Sequence, residues 1–267
     1  MKNIIGIFLI FVFSFSPVIS QNIIVDHSSL DQYDKDNYVY FNSFNFDGDY
    51  QGNNGNNPPA PDPTDRINLP ETFPILGNQF TIEMWVYSEG HLLVNNRTFI
   101  GNDANPANNE PDRPPTITFN QGHQIGVGFG TGSVGYRKRV NNVMEDDEWY
   151  HIAWSFDGTI SNLYVGGELL ESSDFAAGLT PIQVPISIIG RKFIGKIDEV
   201  RIWDLVRDQE QIQAVMNSSL SGDESGLIAY YPMEVNEDWK LIDYSTNENH
   251  ASIVDAEILQ KYSSSSC

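Results

Sequence analysis

An all-β fold, a two-sheet antiparallel jelly-roll sandwich with one short helix, is what this sequence predicts, and three observations predict it. Short segments alternate apolar and aromatic residues with polar ones at a period of two. Gly, Asn and Asp clusters separate them at regular intervals. Only one stretch carries a helical spacing. With 267 residues in all, one large β domain can bury a real core.

Residues 1–20, MKNIIGIFLIFVFSFSPVIS, place Lys2 ahead of an apolar run from Ile4 to Phe13, then Pro17 and the small Ser20. That is the order of a signal peptide cleaved after Ser20. The run is shorter than the roughly 20 residues a spanning helix needs, and no later stretch is long and apolar enough. A secreted protein, extracellular or at the cell surface, is therefore expected, with no membrane span after signal cleavage. Residues 21–41 form a polar lead-in without a clear period. YVYFNSFNFDGDY then alternates into a strand that closes on the turn Phe46-Asp47-Gly48-Asp49. Residues 51–66 contain almost nothing that can be buried and read as a surface loop.

QFTIEMWVYSEG (79–90) is strongly β-forming, with Phe80, Ile82, Met84 and Val86 on one face and Thr81, Glu83, Trp85 and Tyr87 on the other. A second polar loop, 101–115, leads into TITFNQGHQIGVGFGTG, two strands with a tight turn near Gln121 and Gly122. EWYHIAWSFDGTISNLYVGGELLESS (148–173) reads as strand, Asp157-Gly158 turn, strand, Gly166-Gly167 turn, strand. Its first strand is bulky on both faces, so both are expected to be covered. ISIIGRKFIGKIDEVRIWD adds two strands. The helix follows: Asp208 caps it, Gln211 returns the bond, and Ile212, Val215 and Met216 form a buried stripe. GLIAYYPMEV (226–235) returns to strand. The sequence ends in a Ser-rich tail, 256–267, that reads as a linker cut short before a further domain.

Charge and cysteine narrow the partners. The formal net charge is −21, and removal of Lys2 with the leader makes it about −22, 14 basic residues facing 36 acids. Nucleic acid is excluded as a natural partner, because phosphate binding needs concentrated positive charge. The single cysteine, Cys267, permits no intrachain disulfide.

Within GKIDEVRIWD (195–204), a strict period of two puts Asp198 on the face of Val200 and Ile202, with Glu199, Arg201 and Trp203 opposite. A carboxylate removed from water costs several kcal/mol unless it is hydrogen-bonded, paired, protonated or metal-bound. All four remain open on the residues alone.

EWYHIAWSFDGTISNLYVGGELL resembles the signature hairpin of laminin-G-like, concanavalin A-like jelly rolls. FIGKIDEVRIWDLVRDQEQIQAVMNSSLSGDESGLIAYYPME and DYSTNENHASI (243–253) are similar to the C-terminal half of these pentraxin-like modules, and FNFDGDY to their opening. The motifs run in order and imply one domain over residues 42–255. The resemblance also implies a structural calcium ion held by Asp198 with Asp47, and with Asp49 as a further ligand. The chemistry agrees, since calcium takes about 6–8 hard oxygen ligands. The function implied is binding, of a glycan or of an extracellular protein, as in adhesion or spacer modules.

No catalytic residue is expected. Glycosidases on this fold carry Glu-x-Asp-x-x-Glu; in MEDDEWYH (144–151), Glu145 and Asp147 have the first spacing, but Tyr150 stands where the second glutamate belongs. His151 has no histidine partner at metal-site spacing and reads as a core residue with a satisfied ring. GVGFGTG lies between β patterns, with no helix after it to make a phosphate cradle. Trp85, Trp149, Trp154 and Trp203 lie in strands and read as core. GYRKRVNN (135–142), read as a loop, is the one basic cluster: Tyr136 stacks on a sugar while Arg137 and Arg139 grip carboxylate or sulfate groups. The competing view is that this loop balances Glu145, Asp146 and Asp147.

Overall fold

The computed structural model describes residues 44–46, 66–89, 97–102, 110–236, 238, 240–254 and 257–258. The strands are β1 (Phe44–Phe46), β2 (Arg66–Asn68), β3 (Phe80–Ser88), β4 (Arg97–Gly101), β5 (Thr116–Asn120), β6 (Gln124–Gly130), β7 (Gly135–Val140) and β8 (Trp149–Phe156). They continue as β9 (Ser161–Val165), β10 (Glu168–Ser173), β11 (Ile188–Ile189), β12 (Gly195–Trp203), β13 (Leu227–Tyr231), β14 (Lys240–Leu241), β15 (Ala251–Val254) and β16 (Glu257–Ile258), with helix α1 (Gln209–Val215) between β12 and β13.

Two antiparallel sheets form a sandwich, as the alternation predicts. Sheet A runs β10-β9-β8-β3-β12-β1-β16, with β13 beside the far half of β12; sheet B runs β14-β15-β2-β11-β4-β5-β6-β7. The inner faces meet in one core. From sheet A come Phe80, Ile82, Met84 and Val86 with Ile152 and Trp154; from sheet B come Ile117, Phe119, Ile125, Val127 and Phe129. β3 divides its faces as its sequence predicts, and both sides of β8 are covered from Tyr150 to Phe156. The Asp157-Gly158 and Gly166-Gly167 turns join β8, β9 and β10 as expected. Gly158 and Gly167 both sit at positive φ, where glycine carries no steric cost.

Three features depart from the sequence reading. Residues 135–140 are not a loop but β7, the edge strand of sheet B. β12 carries a β-bulge between Asp198 and Arg201, with Glu199 at φ 50°. The extra residue flips the parity of the strand. Ile197 therefore faces the core together with Val200 and Ile202, and Asp198 falls on the opposite, outer face. The fold also runs past residue 255: β16 pairs with β1, so residues 257 and 258 belong to sheet A and not to the tail.

Candidate functional site

The outer face of sheet A is closed by the segment that follows β12. The Asp208 side chain accepts the Gln211 N–H at 2.9 Å and Gln211 accepts the Asp208 N–H at 3.0 Å, the reciprocal cap the spacing predicts. Ile212 packs on Ala153 and Tyr164. It is the only buried residue of the helix; Val215 and Met216 are half-buried, because the end of the helix is held by its carbonyls instead. Arg201 donates to Val215 O at 2.9 Å and Ser218 O at 2.7 Å, and Trp85 Nε1 donates to Met216 O at 2.8 Å. These bonds tie carbonyls at and just beyond the helix C-terminus to sheet A.

Beneath that strap lies a buried polar network. Arg201 donates to Glu199 at 2.6 Å, and Tyr230 Oη donates to the same carboxylate at 2.9 Å. Trp203 Nε1 donates to Glu83 Oε1 at 2.7 Å, and His151 Nε2 lies 3.3 Å from Glu83 Oε2. Burial alone would raise the Glu83 pKa, but the His151 hydrogen bond and the charges of His151, Arg201 and Arg207 outweigh it and hold the carboxyl below the usual glutamate range. Glu83 is 0% exposed and Glu199 5%, so both acids are shut away from solvent. His151 is a core residue, as predicted, but its ring is not satisfied as expected: Nδ1 has no hydrogen-bond partner, and Nε2 meets Glu83 as an ion-pair contact.

Asp198 is 2% exposed and accepts the Glu199 N–H at 2.7 Å. Burial, with the Glu199 charge adding to it, pushes its carboxyl well above the usual aspartate range, and Glu234 acts in the same sense. It sits in a notch of sheet A, where β1 ends its pairing with β12 at Ile197 and β13 begins at Val200. Asp47 and Asp49 lie outside the described residues. Phe46, the residue before Asp47, pairs with Gly195, three residues along β12 from Asp198. Among the described residues no group of three or more His, Cys, Asp or Glu is arranged to hold a metal ion.

The outer face of sheet B is different. Cross-strand pairing aligns Thr116, Gly128 and Arg137 in one row and Thr98, Thr118, Gly126 and Arg139 in the next. A side chain at Gly126 would meet Thr118 Oγ1 at 2.6 Å and the stems of Arg137 and Arg139 at 3.6 Å each. Both arginines thus stand over a glycine floor walled by threonines. Tyr136 and Lys138 leave the strand on the other side. Tyr136 packs against the core, and Lys138 reaches Glu171 of β10 at 2.8 Å, closing the sandwich edge. The expected trio of Tyr136, Arg137 and Arg139 is therefore split across the sheet, since a strand alternates its side chains.

A family model of the concanavalin A-like lectin/glucanases superfamily matches residues 61–213, more than half of the chain. The chain belongs to this superfamily. Among solved structures of this concanavalin A-like fold, one is described as a carbohydrate-binding protein from Bacteroides ovatus ATCC 8483. It is 19% identical with a TM-score of 0.59, and the match covers 85% of this chain and 61% of that one. The chain thus spans less than two thirds of that protein's length. The native heptameric SAP-like pentraxin of Limulus polyphemus is 11% identical with a TM-score of 0.51, covering 82% of this chain and 95% of that one. No curated protein matches the chain.

The concanavalin A-like C-terminal motif, Asp243-x-Ser245-x-Asn247-x-Asn249-His250, has a structural task here. Asp243 accepts the N–H groups of Tyr230 at 2.9 Å, Ser245 at 2.8 Å and Asn249 at 2.8 Å, and the Ser245 hydroxyl at 2.9 Å. Asn247 and Asn249 donate to Ile228 O. The motif pins the β13 strand to its return. The glycines and threonines of the sheet B face were missed by motif reading, though their signal was present: Thr-Ile-Thr and Gly-Val-Gly put small residues on one face at a period of two. No helix among the described residues is long and apolar enough to cross a membrane.

Proposed function

We propose that the chain is a secreted, non-catalytic module that binds acidic glycans on the outer face of sheet B. The observation that supports it is the placement of Arg137 and Arg139 two residues apart on one face, above Gly126 and beside Thr98, Thr116 and Thr118. The exposed Arg139 guanidinium offers a planar fork of donors that matches a carboxylate or sulfate, and half-buried Arg137 adds its positive charge beside it. Glycine beneath them lets both arginine stems lie against the sheet, over the buried threonines. The leader at residues 1–20 supports secretion. The burial of Glu83 and Glu199 under α1 supports binding without chemistry, since a general acid has to reach the glycosidic oxygen.

A structural calcium ion belongs to the same proposal. Asp198 is buried, receives one backbone N–H, and lies near the charges of Glu199 and Glu234, so a hard dication would offset that repulsion. Asp198 would hold it, with Asp47 and Asp49 as further ligands. Bound there, it would tie the start of the fold to the β12 bulge.

The test is a glycan array probed with the secreted chain in millimolar calcium and in EDTA, with a melting curve in each buffer. Binding to uronic-acid or sulfated glycans, and a melting point lowered by EDTA, are expected. An array with no acidic glycan bound would overturn the sugar assignment, and identical melts would overturn the metal.

A further inference from the structure

A second surface with the chemistry of a sugar platform lies on the opposite sheet. Cross-strand pairing places Lys196, Tyr87 and Trp149 in one row on the outer face of sheet A. The neighbouring row, Asp198, Trp85 and His151, is buried, with Trp85 bonded to Met216 O under the strap that follows α1. The cover stops one row short. Tyr87 and Trp149 are left half-buried, their ring centroids 5.6 Å apart and their planes tilted by 53°. Polar groups rim the pair. Lys196 Nζ is 4.5 Å from the Tyr87 ring centroid and 3.6 Å from Glu89 Oε1, and Tyr87 Oη lies 3.5 Å from Asp147 Oδ1. Asp147 is held at φ 64° by its N–H to Ser88 O at 2.7 Å, which fixes the carboxylate at the rim.

We propose that Trp149 and Tyr87 bind a neutral oligosaccharide, with Glu89, Asp147 and Lys196 bonding its hydroxyls. This rests on the reading of the chain as a carbohydrate-binding module. Aromatic faces take the apolar C–H side of a pyranose, while carboxylates accept from its hydroxyls. The rim holds two carboxylates and one ammonium, so its net charge repels uronic acids and sulfates. The two sheets thus offer opposite charge preferences: arginines on sheet B, acids around an aromatic pair on sheet A.

The experiment titrates the secreted chain with cellohexaose, xylohexaose and mannohexaose, and separately with polygalacturonate. Binding of at least one neutral hexasaccharide is expected, weakened tenfold or more in Trp149→Ala and severalfold in Tyr87→Ala. Trp149→Phe keeps an aromatic ring on the strand and guards against misfolding; severalfold weakening at an unchanged melting point is expected. In Arg137→Ala/Arg139→Ala the neutral affinity should stay within twofold of wild type while polygalacturonate binding falls. Neutral binding without polygalacturonate binding would sink the sheet B assignment alone. Failure of all three hexasaccharides to bind, or equal affinity in wild type and Trp149→Phe, would overturn the platform.

Discussion

Replacing Arg201 by methionine tests the strap that closes sheet A. Arg201 is 0% exposed, pairs with Glu199 at 2.6 Å, and holds the carbonyls of Val215 and Ser218. Removing one partner of a buried ion pair costs about 3–5 kcal/mol, because the other charge is left without compensation. The two carbonyls lie nearer the surface and regain water, so they add about 1 kcal/mol at most. A loss of about 4 kcal/mol corresponds to a fall in melting temperature on the order of 10 °C for a domain of this size. Urea unfolding followed by tryptophan fluorescence measures it as a lower midpoint at an unchanged slope. Adding Glu199→Gln removes the stranded charge and should restore about half of the loss. A loss below about 1 kcal/mol for Arg201→Met would refute the argument that this pair holds the strap down.

Asp243→Ala strands three backbone N–H donors and a hydroxyl, so calorimetry should show a loss of about 3–5 kcal/mol. Glu83 has a depressed folded pKa, so its stabilisation is present above the unfolded value of about 4.3 and fades as pH falls through the folded one. Wild type should lose stability as pH falls below about 4.3, and Glu83→Gln should give a flatter profile there. Tyr150 is pushed up to about 12, by burial first, with the Glu148 hydrogen bond and charge also raising it. Its stabilisation is complete below pH ~10 and disappears as pH rises through the folded value, which ultraviolet titration of wild type against Tyr150→Phe resolves. Gly126→Val puts a Cβ 2.6 Å from Thr118 Oγ1 and displaces the arginine stems, and should weaken acidic-glycan binding at a cost of about 1–3 kcal/mol of stability.

Much of this fold was legible in the sequence because local signals agreed with tertiary demand. The two faces of β3, the Asp157-Gly158 and Gly166-Gly167 turns, and the Asp208–Gln211 cap all follow from residue types at fixed spacings. The β12 bulge was not legible, because a non-glycine residue at positive φ leaves no mark in composition. Glu199 flips the parity of the strand, and with it the face that Asp198 occupies. β7 was hidden for another reason. Edge strands carry charge against unwanted pairing, so Gly-Tyr-Arg-Lys-Arg-Val reads as a polar loop when only Tyr136 and Val140 are apolar. Trp149 looked like core because strand aromatics usually are. Its exposure depends on where a strap some 60 residues later stops, which no local window contains.

The most direct test of the account is isothermal titration of polygalacturonate into wild type and Arg137→Ala/Arg139→Ala, with equal melting temperatures confirming that both are folded. Wild type is expected to bind, with an affinity that weakens at least tenfold in the double variant and falls as salt rises. Equal affinity in the two proteins would contradict it and remove the outer face of sheet B from the binding site.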